Sequence, residues 1–194
     1  MRIFATALIL PAILAAVPAA AQDAEPFAGP SVVAVAGIDH SGSEDFNDNG
    51  LLYGGAVTYD LAAGKLRYGV EAEVTGSTRK GCASNLAVTG DRACFHTGRD
   101  LYIGGRLGAV VTDNLMLYGK AGYTNARSGG TYNDPATTAS PDFEGSDNFG
   151  GYRLGAGAEL NAGNFLIRTE YRYSDYDGLV GGRHQGTVGV GFRF

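Results

Sequence analysis

Tryptophan is absent from this 194-residue chain, and cysteine occurs only twice. Any aromatic role in the fold therefore falls to Tyr, with 11 residues, and Phe, with 9. Positive charge is also scarce. The chain has 15 Lys and Arg against 20 Asp and Glu, a net charge of −5, and that sign argues against nucleic acid as a partner. Past residue 21 no unbroken apolar run reaches the roughly 20 residues that a membrane-spanning helix needs. If the chain enters a bilayer, it must do so as a closed barrel, because lipid leaves no backbone polar group unpaired. A nucleotide-binding glycine motif is missing too. Gly155-Ala156-Gly157 lies inside an extended stretch, opens no helix and does not complete G-x-G-x-x-G.

What is present begins with an export leader. Arg2 supplies the positive start, Ile3–Val17 the apolar core, and Ala19-Ala20-Ala21 the small residues that a signal peptidase needs. The core is too short to span a bilayer and is interrupted by Pro11. Cleavage is expected after Ala21, which removes Arg2 and leaves the mature chain one unit more negative. In an exported chain the even cysteine count favours a Cys82–Cys94 disulfide, with two free thiols as the alternative. Gly makes up 31 residues, about twice the average usage of roughly 7%. No collagen period is present, so the glycines sit within or between strands.

The mature sequence alternates. In Asn164–Ser174, Phe165, Ile167, Thr169, Tyr171 and Tyr173 take one face, and Arg168, Glu170 and Arg172 take the other. An extended chain sends successive side chains to opposite faces. Eight such strands are expected: Gly29–His40, Gly50–Asp60, Leu66–Ser77, Asp100–Val111, Asn114–Thr124, Asn148–Leu160, Asn164–Ser174 and His184–Phe194. The first is rich in Val and Ala on both faces, and its facing is left open. Residues 61–65, 112–113 and 161–163 read as tight turns. Residues 41–49, 78–99, 125–147 and 175–183 read as longer polar loops, so no further strand is expected in them. Short turns at one end and long loops at the other suit a strand that puts its apolar face in lipid and its charged face in a closed barrel. The inverse arrangement, a soluble periplasmic carrier with apolar residues inside, is the competing fold reading.

With the leader, the eight amphipathic strands and the ending Val188-x-Val190-x-Phe192-x-Phe194, the chain resembles the small outer-membrane β-barrel proteins of Gram-negative bacteria. Among these it is similar to the surface-antigen barrels of alphaproteobacteria and to the membrane domain of outer-membrane protein A. The resemblance covers most of residues 29–194. It implies an all-β fold: an eight-stranded antiparallel up-and-down transmembrane barrel with both termini periplasmic and four long external loops. The expected organisation is a signal peptide at 1–21, a short N-terminal periplasmic segment at 22–28 and the outer-membrane barrel at 29–194. It also implies that Phe194 belongs to the signal read by the barrel-assembly machinery. No peptidoglycan-binding domain follows Phe194 in this sequence, so that family role is not implied.

Alternation puts Glu71, Glu73, Glu159 and Glu170 inside, with Arg67, Arg106, Lys120, Arg153, Arg168, Arg172 and Arg193. Eight strands enclose a lumen that side chains just fill, and buried charges are costly unless paired. A salt-bridge network is therefore expected. A tight turn at 112–113 would set Arg106 opposite Lys120 and require an acid between them, with Glu71 and Glu73 as the nearest suppliers. The competing reading of the same residues is a narrow ion path along the basic excess.

Two further patterns bear on chemistry. Asp45-Phe46-Asn47-Asp48-Asn49-Gly50 matches the first half of a calcium loop, but its twelfth position is Ala56 rather than Glu, and no helix precedes it. No metal or cofactor is therefore expected. His40 and His184 flank the long-loop end, with Asp39, Ser41, Asp175 and Asp177 near in sequence, which is where a lipid-modifying hydrolase of this architecture would keep its site. The spacing fits no serine-hydrolase motif, and no enzymatic activity is expected. The expected role is structural and surface-directed. The barrel would sit in outer-membrane lipid among lipopolysaccharide, and the loops 78–99 and 125–147 would meet host or cell-surface partners.

Overall fold

The computed structural model describes residues 25–41, 49–85, 88–134, 143–178 and 182–194. The leader at 1–21 and the start of the calcium-like loop, Asp45 and Asn47, lie outside the described residues. Among the described residues nine strands form one antiparallel sheet: β1 (Gly29–Ser41), β2 (Asn49–Ala63), β3 (Leu66–Ser77), β4 (Lys80–Ser84), β5 (Arg92–Thr112), β6 (Leu115–Asn133), β7 (Phe143–Ala162), β8 (Phe165–Tyr176) and β9 (Arg183–Arg193).

Neighbours in sequence are neighbours in space, as in an up-and-down topology. β1 also pairs with β9, and β3 pairs with β5, so the eight long strands close into a ring. A walk across the ladder shows how it closes. It begins at Ser31, crosses Thr58, Glu71, Gly104, Gly122, Arg153, Ser174 and Arg183 in turn, and arrives back on β1 at Ser41. Returning ten residues further along the strand is the stagger of a barrel whose strands tilt, typically by about 35–45°.

The tight turns at one end follow from local chemistry. Gly64 and Gly163 each open a two-residue turn with φ of 59° and 63°, a left-handed geometry that costs glycine nothing. At the other end the strands run longer than the sequence pattern indicated. β5 and β6 extend over residues 92–99 and 125–133, β7 begins at Phe143, and β4 makes a ninth strand against β5. Most of the two segments expected to be loops is therefore sheet. Their side chains do not alternate cleanly, but antiparallel ladders propagate backbone pairing outward from the barrel below.

Apolar side chains face out and charged ones face in. Val32, Ile38, Val57, Val70, Ile103, Leu117, Leu154, Ile167 and Val190 are exposed, while the lumen residues are buried. The soluble-carrier arrangement, with apolar side chains inside, is thereby overturned. β1 takes the same sense, with Val33 and Val35 inward and Val32 and Ile38 outward. Its inward valines pack on Leu52, Ala56 and Leu166, making a small apolar wall inside an otherwise ionic lumen.

Candidate functional site

The lumen is built from the inward-facing residues of every long strand. β5 and β6 set Arg106 directly opposite Lys120, and two cations at such a site require shared anions. Lys120 Nζ lies 2.6 Å from Glu71, 2.8 Å from Glu170 and 3.7 Å from Glu73. Arg106 reaches Glu159 at 3.1 Å, Asp60 at 3.4 Å and Glu71 at 3.6 Å. Arg168 closes on Glu71 at 2.7 Å. Arg172 donates to both oxygens of Glu73, at 2.5 and 2.7 Å, and to Gln185 at 2.7 Å.

The pairing continues to both ends of the barrel. Toward the short turns, Arg193 bridges Glu159 at 2.6 Å and Asp60 at 3.3 Å. Toward the long-loop end, Arg153 joins Glu73 at 3.1 Å and also Asp100, and Arg183 joins Asp100 at 3.1 Å and Asp39. Asp39, Asp60, Asp100 and Arg183 were not in the inward set read from alternation. Asp39, Asp60 and Arg183 sit near strand ends, and Asp100 follows the β5 register shift at Thr97, so the alternation around each is short or interrupted. With them the lumen holds Asp39, Asp60, Glu71, Glu73, Asp100, Glu159 and Glu170 against Arg106, Lys120, Arg153, Arg168, Arg172, Arg183 and Arg193. Carboxylates equal cations in this connected set, and Arg67, the remaining inward cation, pairs with Glu25 at the short-turn mouth, so among the described residues the basic excess inferred from sequence is not found.

Aromatic rings and glycines complete the fill. The Arg106 guanidinium lies 4.3 Å from the centre of the Tyr118 ring, and Lys120 Nζ lies 4.8 Å from that of Tyr102, favourable for cations already withdrawn from water. Lys120 runs over Gly155, where a Cβ would meet its chain at 3.1 Å, and Tyr118 covers Gly157, where a Cβ would meet its ring at 2.8 Å. These glycines are floor space for larger neighbours.

The short-turn mouth is stoppered from the N-terminal side. Phe27 is 1% exposed and packs on Met116, Tyr118 and Val110. Its φ of 64° is uncommon for a bulky residue. Arg67 holds the segment in place: its guanidinium donates to the carbonyls of Pro26 at 2.6 Å and Gly64 at 2.7 Å, and reaches Glu25 at 3.0 Å. Nothing in the sequence pattern marked Phe27, because a single residue outside the strands has no period.

The outer wall carries aromatics at two levels. Near the short turns are Tyr59, Tyr68, Phe165 and Phe192, with the two phenylalanines in edge contact at 5.7 Å. Further up are Tyr53, Tyr123, Tyr152, Tyr171 and Tyr173, with Tyr123 paired to Tyr152 across β6 and β7. Val, Leu, Ile and Ala side chains lie between the two levels. An apolar band between two aromatic girdles is the outer surface of a membrane-spanning barrel, and in the absence of Trp the Tyr and Phe residues form both. Phe194 is exposed at the end of the last strand, its N–H bonded to Pro30 O at 2.9 Å.

Above the upper girdle, Cys82 and Cys94 face each other across β4 and β5 and form a disulfide, with 4.0 Å between their Cα atoms. His40 and His184 also pair across β1 and β9. Their ring contacts are neutral: His40 Nδ1 to Asn49 Oδ1 at 3.0 Å, and His184 Nδ1 to the Tyr171 hydroxyl at 2.6 Å. Asp39 turns into the lumen toward Arg183, and Asp175 accepts from Tyr152, so neither acid supports a histidine as a base. Asn49, from the calcium-like sequence, is engaged with His40. Among the described residues no group of three or more metal-ligating side chains forms.

The family model for the outer membrane protein beta-barrel domain matches residues 8–194. Among solved structures the chain is similar to Ail, the attachment invasion locus protein of Yersinia pestis, at 16% identity and a TM-score of 0.55, over 86% of this chain and 99% of that one. It is similar also to Neisserial surface protein A, at 13% identity and a TM-score of 0.54, over 86% of this chain and 98% of that one. No curated protein matches the chain. The chain belongs to the outer membrane protein beta-barrel domain family, in the cell outer membrane.

Proposed function

We propose that this protein is a plugged outer-membrane barrel that works through the far ends of its strands, with both termini and the short turns periplasmic. The carrying observation is the lumen. Ion pairs run unbroken from Arg193 near the short turns to Arg183 and Asp39 near the long-loop end, with charges in balance. An open ion path would need these pairs to part, and each parting would leave a desolvated charge. What remains for function is the outward sheet of β4–β7, pinned by Cys82–Cys94, together with the loops around it. Such a surface suits contact with lipopolysaccharide or with host and cell-surface partners. Attachment, the word in the Yersinia protein's name, is the class of role proposed. Phe194 would serve the barrel-assembly machinery as the terminal aromatic.

Planar-bilayer recording of the folded protein beside Glu71→Gln tests the plug. Silence in both is expected, and a steady conductance that shifts in the variant would move function to the lumen. Cell-binding assays with β4 and residues 128–146 shortened test the surface role, and unchanged binding would remove its content.

A further inference from the structure

The turn that stoppers the short-turn mouth reaches across the whole ring. The ring runs β1, β2, β3, β5, β6, β7, β8, β9, so the strand half-way round from β1 is β6. Phe27 lies just before β1, yet it packs on Met116 and Tyr118 of β6 and on Val110 of β5. Two further strands hold the same turn. Arg67 of β3, 41 residues away in the chain, donates to Pro26 O at 2.6 Å. Arg193 of β9 donates to Gly29 O at 3.2 Å. Gly29 also lies flush against the chain end beyond β9, where a Cβ would meet the Phe194 carbonyl oxygen at 2.6 Å. Only a closed ring sets β3, β5, β6 and β9 where one short turn can meet them all.

Local preference does not preform this turn. Phe27 has a φ of 64° and Gly29 a φ of 97°. Glycine takes such values freely, but a bulky side chain holds one only where its surroundings impose it. The turn's own backbone supplies the bond from Ala28 N–H to Glu25 O at 3.1 Å. The contacts that seat Phe27 come from β3, β5 and β6, far along the chain. Contacts of that range are rewarded only after the intervening chain has been closed into place.

We propose that the turn from Glu25 to Gly29 is a lock that seats after the ring has closed. It ties β1 to the opposite wall and so slows reopening of the β1–β9 seam. Phe27 enters the mouth, and Arg67 holds it there. Interactions that form after the rate-limiting step change the unfolding rate and leave the folding rate alone. The lock therefore has a kinetic signature that packing already present in the transition state lacks. It has a second signature as well. Met116 is 0% exposed beneath Phe27, so an unseated turn admits water to that residue. The proposal is independent of the membrane orientation and of the surface role.

The test is the folding and unfolding kinetics of the mature protein in lipid vesicles, followed by heat-modifiable migration. Wild type is compared with Phe27→Ala, Phe27→Leu and Arg67→Gln. Expected are unfolding at least tenfold faster in Phe27→Ala, a smaller acceleration in Arg67→Gln, and a rate close to wild type in Phe27→Leu. Folding rates should stay within twofold in all three. In a second measurement, Met116→Cys is exposed to a water-soluble thiol reagent with the Cys82–Cys94 disulfide left oxidised. Its modification should run at least tenfold faster when Phe27→Ala is added. Failure of Phe27→Ala to fold would overturn the proposal, since the ring would then need the turn in order to close. Folding slowed as much as unfolding is accelerated, an unchanged unfolding rate, or equal reactivity of Met116→Cys with and without Phe27→Ala would overturn it too.

Discussion

The barrel wall and the sheet above its upper tyrosines are one continuous ladder, yet they are specified differently. In the wall each residue answers to two solvents. On β3, Arg67, Glu71 and Glu73 face the lumen while Tyr68, Val70 and Val74 face lipid. A one-residue slip would place both charged and apolar groups in the wrong medium, so the register is held by large energies on both faces. Above the girdle both faces meet polar surroundings. The stretch from Asn125 through Asn133 alternates nothing, and its strand is inherited from pairing begun lower down. A cross-strand disulfide appears where side-chain patterning stops supplying register.

The wall is most vulnerable from inside. Glu71 is shared by Lys120, Arg168 and Arg106. Glu71→Ala leaves buried cations with one fewer anion, and a loss of about 3–5 kcal/mol is expected. The urea midpoint of unfolding from vesicles measures it, and a loss below about 1 kcal/mol would mean that water fills the lumen and screens the pairs. From outside, Val70→Arg sets a charge in the apolar band between the girdles. The expected cost is about 2–4 kcal/mol, read by the same titration, whereas an unchanged midpoint would place the band elsewhere on the wall.

The upper sheet should respond locally. In the chain-entropy view the disulfide contributes about 3 kcal/mol, but only to the β4–β5 hairpin. Cys82→Ser with Cys94→Ser should open residues 80–95 to limited proteolysis while leaving the barrel's unfolding midpoint unchanged. A falling midpoint would show the two regions to be one cooperative unit. The smallest effect belongs to Arg92→Gln, an exposed end of β5, expected within about 0.5 kcal/mol and checked by the same midpoint.

Legibility follows the same division. Wall strands could be read because lipid on one side and ionic fill on the other impose a period of two, and β3 was bounded at Leu66–Ser77 from that period alone. The facing of β1 could not be read, because valine suits lipid and also suits the apolar patch that Leu52 and Leu166 complete inside. The inward glutamates and arginines from Arg67 to Arg193 lay on clean alternations. Asp39, Asp60 and Arg183 lie near strand ends, and Asp100 follows the register shift within β5, so at each the alternation is too short or too broken to show a face. β4 and the upper parts of β5, β6 and β7 read as loops because their glycines and polar residues carry no period.

By itself the sequence determined a barrel rather than a helix bundle, the strands of its wall, the outward face of seven of them and the cation–anion composition of most of its interior. These follow from local alternation, which needs no knowledge of neighbours. The tertiary structure decided the ring closure of β1 on β9 and the stagger from Ser31 to Ser41. It also decided which carboxylate answers which cation and the seating of Phe27 beneath Tyr118. Each of these depends on residues far apart in the chain meeting at one height on a tilted wall. That height is set by the shear of the whole barrel, which no single strand encodes.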